Sequence, residues 1–330
     1  MQKIAVLTSG GDSPGMNAAV MSVARAASLM NMQLVGIKRG YNGLIGKSDN
    51  RADDICELSL DTVLDIADLP GTYLRTARCP EFLEPEYQHK AVAFLKSLDI
   101  SGLVVIGGDG SLHIAQKLYE MGLPLVGVPK TIDNDVGGTD LTFGFDTALD
   151  VATQAIDRLH TTAESHHRIM LVEVMGRNAG WLALQAGLAG GADAILLPEI
   201  PFDVANVDAK VEAREMAGSK FSIVVVAEGA RPVGGEQVYQ EVGEAAAARR
   251  LGGVSYAVAE QLSALTEREI RVTVLGHLQR GGSPTSFDRI LATRFGAAAV
   301  YLLARGRTGH MVSLRGEEIV DVPIAEAIAR

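Results

Sequence analysis

Two short apolar runs, each broken at once by a glycine-rich turn, constrain this chain most. Ile4-Ala5-Val6-Leu7 passes into Thr8-Ser9-Gly10-Gly11-Asp12-Ser13-Pro14-Gly15-Met16-Asn17, and an alanine-rich helical segment follows from about 18 to 30. Leu103-Val104-Val105-Ile106 passes into Gly107-Gly108-Asp109-Gly110-Ser111 and re-enters a helix through about 119. Apolar runs of this length without alternation are strands covered on both faces, as in a parallel sheet. Strand, glycine turn and helix together gather backbone N–H groups and a helix N-terminus around a phosphate. Neither turn is G-x-G-x-x-G or G-x-x-x-x-G-K-S/T, so a plain tight turn stays open for the first. Repetition of the pattern favours phosphate binding at the second, where Asp109 can hold Mg2+ against phosphate oxygens.

A third apolar run, 123–128, delivers Pro129-Lys130-Thr131-Ile132-Asp133-Asn134-Asp135. Carboxylates two residues apart suit a general base acting on a hydroxyl beside a group that holds charge or metal. A solvated turn is the alternative. Further strands are expected at 34–37, 169–174, 195–197, 223–226 and 272–275, with helices near 86–98 and 149–160. Residues 47–65 read as polar surface, and Arg75 and Arg78 share a loop. Arg168, Arg177, Arg271, His277 and Arg280 all fall at expected strand edges or ends, where guanidinium and imidazole groups can clamp phosphate. His166 and His167 are adjacent and share no face, so a joint metal site is not expected. The alternation predicts an α/β fold: two Rossmann-like lobes with mostly parallel sheets flanked by helices and the active site in the cleft between them.

Composition narrows the class further. A chain of 330 residues with 47% hydrophobic residues, 36 glycines and 11 prolines suits a compact protein rich in tight turns. Its net charge of −10 disfavours a nucleic-acid surface. Cys56 and Cys79 are too few for a disulfide framework or a four-thiolate zinc site. No apolar stretch approaches the ~20 residues that span a membrane, and no signal-peptide core follows Met1, so a cytoplasmic location is expected.

The glycine turns, Lys130-Thr131-Ile132-Asp133-Asn134-Asp135, Val174-Met175-Gly176-Arg177 and Gly276-His277-Leu278-Gln279-Arg280-Gly281-Gly282-Ser283-Pro284 resemble the phosphofructokinase family, in order, over about residues 3–304. The resemblance implies glycolytic transfer of a phosphoryl group from MgATP to the 1-hydroxyl of fructose 6-phosphate. It also implies a larger donor-binding lobe (1–144 plus about 279–305) and a smaller fructose 6-phosphate lobe (145–278 plus about 306–330). Asp133 would be the base, with Thr131 and Arg177 near the transferring phosphoryl group and Asp109 organising Mg2+. Gly11, Arg78, Cys79, Gly108, Asp109, Gly110 and Ser111 would line the donor site. Thr131, Asp133, Met175, Gly176, Arg177, Glu228, His277 and Arg280 would hold the sugar phosphate. Arg168 and Arg271 would reach in from a neighbouring subunit of a homotetramer or homodimer.

Two positions disagree about the donor. Gly110 resembles the ATP-using branch, whereas the pyrophosphate branch carries an aspartate that crowds and repels the α-phosphate. Lys130 resembles the pyrophosphate branch. Exclusion by bulk and charge outweighs an added lysine, so ATP is expected. A pyrophosphate-dependent phosphotransferase and a non-catalytic regulatory subunit stay as alternatives. Gly-Gly-Asp-Gly is shared with NAD kinases and lipid kinases, and a nicotinamide dehydrogenase lacks its fingerprint here. Met21, His160, Ala217 and Ser219 stand at or near positions where bacterial allosteric enzymes carry effector-binding cations, with Arg25 retained, so a weakened effector site is expected.

Overall fold

The computed structural model describes residues 2–48, 50–240 and 250–329. Its strands are β1 (Lys3–Thr8), β2 (Gln33–Ile37), β3 (Ile55–Leu58), β4 (Gly102–Gly107), β5 (Leu125–Pro129), β6 (Ile169–Val174), β7 (Ala194–Leu196), β8 (Ser222–Ala227), β9 (Tyr239–Gln240), β10 (Arg250–Leu251), β11 (Ile270–Val274), β12 (His310–Arg315) and β13 (Glu318–Pro323). Helices alternate with most of them, so the α/β expectation with mostly parallel sheets holds. The chain divides into two compact units: 1–131, 135–147 and 280–330 form one, and 132–134 with 148–279 form the other.

The first unit is built on a seven-stranded sheet in the order β13-β12-β5-β4-β1-β2-β3. Its middle strands are parallel and fully buried: Leu7 sits beside Val105 of β4, and Val105 beside Gly127 of β5. Continuous apolar runs are what such two-sided burial demands, at roughly 1.5–3 kcal/mol for each large side chain. On one face the helices Met16–Leu29 and Ser286–Ala304 meet closely, because a Cβ on Gly296 would lie 2.6 Å from the Ala19 carbonyl. Ser22 closes the contact by donating to the Thr293 carbonyl at 2.6 Å.

Three expectations need correction here. The 306–330 tail, expected with the smaller lobe, belongs to the first unit, because β12 pairs with β5 in parallel and with β13 as a hairpin. The 47–65 stretch is not simply surface: β3 pairs antiparallel with β2, and Asp54 is fully buried under the Arg39 guanidinium. The strand expected at 272–275 starts earlier, at Ile270.

The second unit carries a four-stranded, wholly parallel sheet in the order β11-β6-β8-β7. Glu173, buried in β6, accepts from the backbone N–H groups of Gly253 and Ser255 at 2.8 and 3.0 Å. Those donors open the helix Val254–Ser263, so a buried carboxylate is balanced by a helix N-terminus. Among the described residues, no helix is long and apolar enough to cross a membrane.

Candidate active site

In the first unit, β1 and β4 are neighbours and parallel, so both glycine turns leave the same sheet edge side by side. Ser9 N–H extends the pairing to the Ile106 carbonyl at 2.9 Å, and Ser111 Oγ meets Ser9 Oγ at 3.0 Å. Gly10 is left-handed (φ +84°), and a Cβ on Gly107 would lie 2.4 Å from that of Ser111. These glycines are required by conformation and by close approach. Gly110 is different. It sits in the first turn of the helix Asp109–Glu120, and a Cβ there would meet nothing within 4 Å.

Several side chains brace the two turns. Lys130, 2% exposed, follows β5; its backbone N–H donates to the Gly107 carbonyl at 3.0 Å and its Nζ to the Gly11 carbonyl. Its ammonium therefore holds the backbone of the first glycine turn. Tyr41, fully buried, donates its hydroxyl to the Ser111 carbonyl at 2.7 Å, and burial pushes its pKa up. Thr76 Oγ1 donates to the Gly10 carbonyl at 2.6 Å, laying the 71–79 loop against the first turn. Arg78 in that loop is exposed, and Cys79 is half-buried with its thiol pKa raised by burial. Arg280 falls in this unit: its Nη1 donates to the Asp12 carbonyl at 2.9 Å and lies over Gly11.

The loop after β5 is buried where chemistry is expected, with Thr131 9% and Asp133 5% exposed. The Thr131 carbonyl accepts from Thr142 Oγ1 at 2.8 Å, and Asn134 turns the chain at φ +49°. Asp109, by contrast, keeps a side chain 45% exposed, 3.5 Å from His113 Nδ1. Among the described residues no group of three His, Cys, Asp or Glu side chains could hold a metal alone.

In the second unit the carboxyl ends of β6, β8 and β11 gather Met175, Gly176, Arg177, Glu228 and His277. Gly176 (φ +142°) makes the turn, since a Cβ would lie 2.5 Å from the Ala179 carbonyl. Arg177 N–H donates to Glu228 Oε1 at 2.9 Å, and Met175 N–H to the buried Gln279 Oε1 at 2.8 Å. His277 is exposed in the 3-10 turn Gly276–Arg280. Arg168 and Arg271 are not with them. They lie at the amino ends of β6 and β11, both paired to Glu269, whose carboxyl pKa the Arg168 guanidinium lowers. A five- or six-residue strand separates the two ends by roughly 15–20 Å.

Two of the expected effector positions, His160 and Ser219, are engaged inside the chain. His160 Nε2 lies 2.6 Å from the Gly190 carbonyl with its ring edge-on to Phe221, and Ser219 Oγ accepts from Arg214 at 2.8 Å. Sequence reading does not point to the braces Tyr41 and Thr76. Tyr41 alone left a trace, as the residue following the Lys38-Arg39-Gly40 strand end.

A profile of the phosphofructokinase family matches residues 3–303. An ATP-dependent 6-phosphofructokinase of Chloroflexus aurantiacus is 53% identical, covering 99% of this chain and 91% of its own length. One from Brevibacillus brevis is 49% identical, covering 100% of this chain and 95% of its own. A phosphofructokinase structure from Saccharomyces cerevisiae superposes on 100% of this chain with a TM-score of 0.85 at 34% identity, while this chain spans 45% of that longer one. Paired glycine turns, the buried Thr131–Asp133 loop and the whole length of sequence thus point the same way, and the chain belongs to the phosphofructokinase family.

Proposed function

We propose that this chain transfers the γ-phosphoryl group of ATP to the 1-hydroxyl of fructose 6-phosphate, giving fructose 1,6-bisphosphate and ADP, in the cytoplasmic reactions of glycolysis. The observation that carries this is 53% identity to an ATP-dependent 6-phosphofructokinase over 99% of the chain. The open space at Gly110 supports ATP as donor, because a nucleotide α-phosphate needs room without a carboxylate beside it.

Phosphoryl transfer asks the protein for in-line positioning and for positive charge around the equatorial oxygens. Asp133 accepts the 1-hydroxyl proton as the sugar oxygen bonds to phosphorus and the bond to the ADP oxygen breaks. Thr131 and Arg177 donate to the transferring group. Gly11 and Gly108 offer backbone N–H groups to the donor phosphates, with the Ser111 hydroxyl in the same turn and Arg78 and Cys79 at the edge of the nucleotide. A single, half-exposed carboxylate at Asp109 fits Mg2+, which keeps several waters and takes its other ligands from phosphates. Bound there, Mg2+ supplies charge neutralisation to the phosphate oxygens. Met175, Gly176, Glu228, His277 and Arg280 hold the sugar phosphate. Arg168 and Arg271, at the far end of their strands, serve a neighbouring subunit's site in a homotetramer or homodimer.

The test is formation of fructose 1,6-bisphosphate from fructose 6-phosphate and Mg2+, with ATP and pyrophosphate supplied separately. Turnover with ATP alone is expected. Turnover with pyrophosphate alone would overturn the donor assignment and make Lys130 the determinant; no turnover with either would favour a regulatory subunit.

A further inference from the structure

We infer that Gln237 is a positioning residue for the sugar-phosphate residues of the second unit, its side-chain amide fixing Glu228-Gly229 against Arg177-Asn178. The inference rests on the function proposed above. Arg177 holds φ +50°, a left-handed conformation that a non-glycine residue keeps only when its surroundings enforce it. Its N–H already binds Glu228 Oε1, so the two candidate ligands are set by one contact. The segments also touch backbone to backbone, because a Cβ on Gly229 would lie 1.9 Å from the Arg177 carbonyl oxygen.

Gln237 joins the same two segments from outside. Its Nε2 donates to Asn178 Oδ1 at 3.1 Å and to the Gly229 carbonyl at 3.0 Å, using one amide hydrogen on each. Its Oε1 accepts from the Tyr239 hydroxyl at 3.0 Å, which fixes the orientation of the amide. Gly229 is buried, so its carbonyl loses a partner that water does not readily replace if the amide goes. Beside the brace lies a cavity of about 420 Å3 lined by Asn178, Arg231, Gln237 and Tyr239 among others. That space gives Asn178 and the Arg177 turn room to relax once Gln237 lets go. Gln237 therefore controls the geometry of Arg177 and Glu228 without being a ligand itself.

Gln237→Met keeps the length of the side chain and removes both donors. Steady-state kinetics should show KM for fructose 6-phosphate rising about three- to tenfold, the loss of one or two hydrogen bonds. KM for ATP should hold, and the melting temperature should fall by only a few degrees, the cost of leaving the Gly229 carbonyl unpaired. Gln237→Glu should not rescue, since it turns an oxygen toward the Gly229 carbonyl. Tyr239→Phe should give a smaller rise, about twofold, and should add little to Gln237→Met because both act through one amide. Hydrogen exchange reads the brace without any turnover: amides of 176–180 and 228–230 should exchange faster in Gln237→Met. Unchanged exchange, an unchanged fructose 6-phosphate KM in an active enzyme, or equal rises for both substrates with a fall in melting temperature would each overturn the inference. Faster exchange in a chain whose wild type does not phosphorylate fructose 6-phosphate would instead overturn the proposed function and, with it, the sugar-directed role.

Discussion

The two units build their candidate ligand sites from different materials. The first uses backbone: two adjacent glycine turns stitched through Ser9 and Ser111 and braced by Lys130, Tyr41 and Thr76. The second uses side chains set on strand ends, with Arg177, Glu228 and His277 around a single glycine turn. Backbone N–H groups bind any polyphosphate and say little about what is attached to it. Charged side chains at fixed positions discriminate. On the proposed function, the difference puts generic polyphosphate anchoring in the first unit and most of the sugar-recognising side chains in the second, with Arg280 the first unit's contribution, and substitutions should therefore fail differently in the two.

The largest effect should come from a buried side chain. Asp133→Asn is expected to lower kcat by ~10²–10⁴-fold, the range for loss of a general base, with sugar-phosphate binding retained. Calorimetric titration with fructose 6-phosphate alongside kinetics checks both halves of that statement, and comparable turnover would remove Asp133 from the chemistry. In the backbone-built unit, Gly110→Asp should reduce kcat/KM for ATP by about 100-fold through like-charge repulsion. Its melting temperature should not fall, because the new side chain enters open space at a helix N-terminus. A fall in both would show that glycine serves the fold and not the donor.

A third test concerns the joint between two helix starts in the first unit. Asp288, 0% exposed, accepts from Thr147 N–H and Oγ1 at 2.8 and 2.5 Å, while Thr285 Oγ1 donates to Asp146. Burial raises the Asp288 pKa from 3.8 to about 6, partly offset by Thr147. A raised folded pKa means a stability contribution present below about pH 4 and lost as pH climbs through 6. The wild type should therefore lose on the order of 2–3 kcal/mol relative to Asp288→Asn over that window, measured by denaturant unfolding at each pH. Parallel curves would mean that Asp288 does not titrate there. The smallest effect should be Tyr41→Phe, which removes the hydroxyl bracing Ser111: about 1 kcal/mol of stability and at most a twofold change in KM for ATP.

Much of the first unit is legible in the chain because its strands are apolar without interruption and its turns are glycine. β1, β4 and β5 announce themselves, and so do the loops they deliver. β3 does not: it is a short edge strand with Glu57 in its middle, and pairing on one side needs no continuous apolar run. The β12–β13 hairpin carries Ser313 and Asp321 inside its strands, so no continuous apolar run marks the tail as part of the first sheet. Glu173 lies inside an otherwise apolar strand, and nothing local says that a distant helix start will satisfy it. The candidate ligands carry a motif; the braces Gln237, Thr76 and Asp288 carry none, because the segments they tie down at Gly229, Gly10 and Thr147 lie 8, 66 and 141 residues away.

Gly110 has a consequence for descent. A Cβ at that position meets no neighbouring atom within 4 Å, so a side chain can start there without a clash. Residues that must satisfy folding and chemistry together change slowly, since most substitutions there are removed for instability. Position 110 escapes that double constraint. On the proposed donor assignment, a lineage can cross between phosphoryl currencies at this site by selection on its metabolism alone, and return by the same single step.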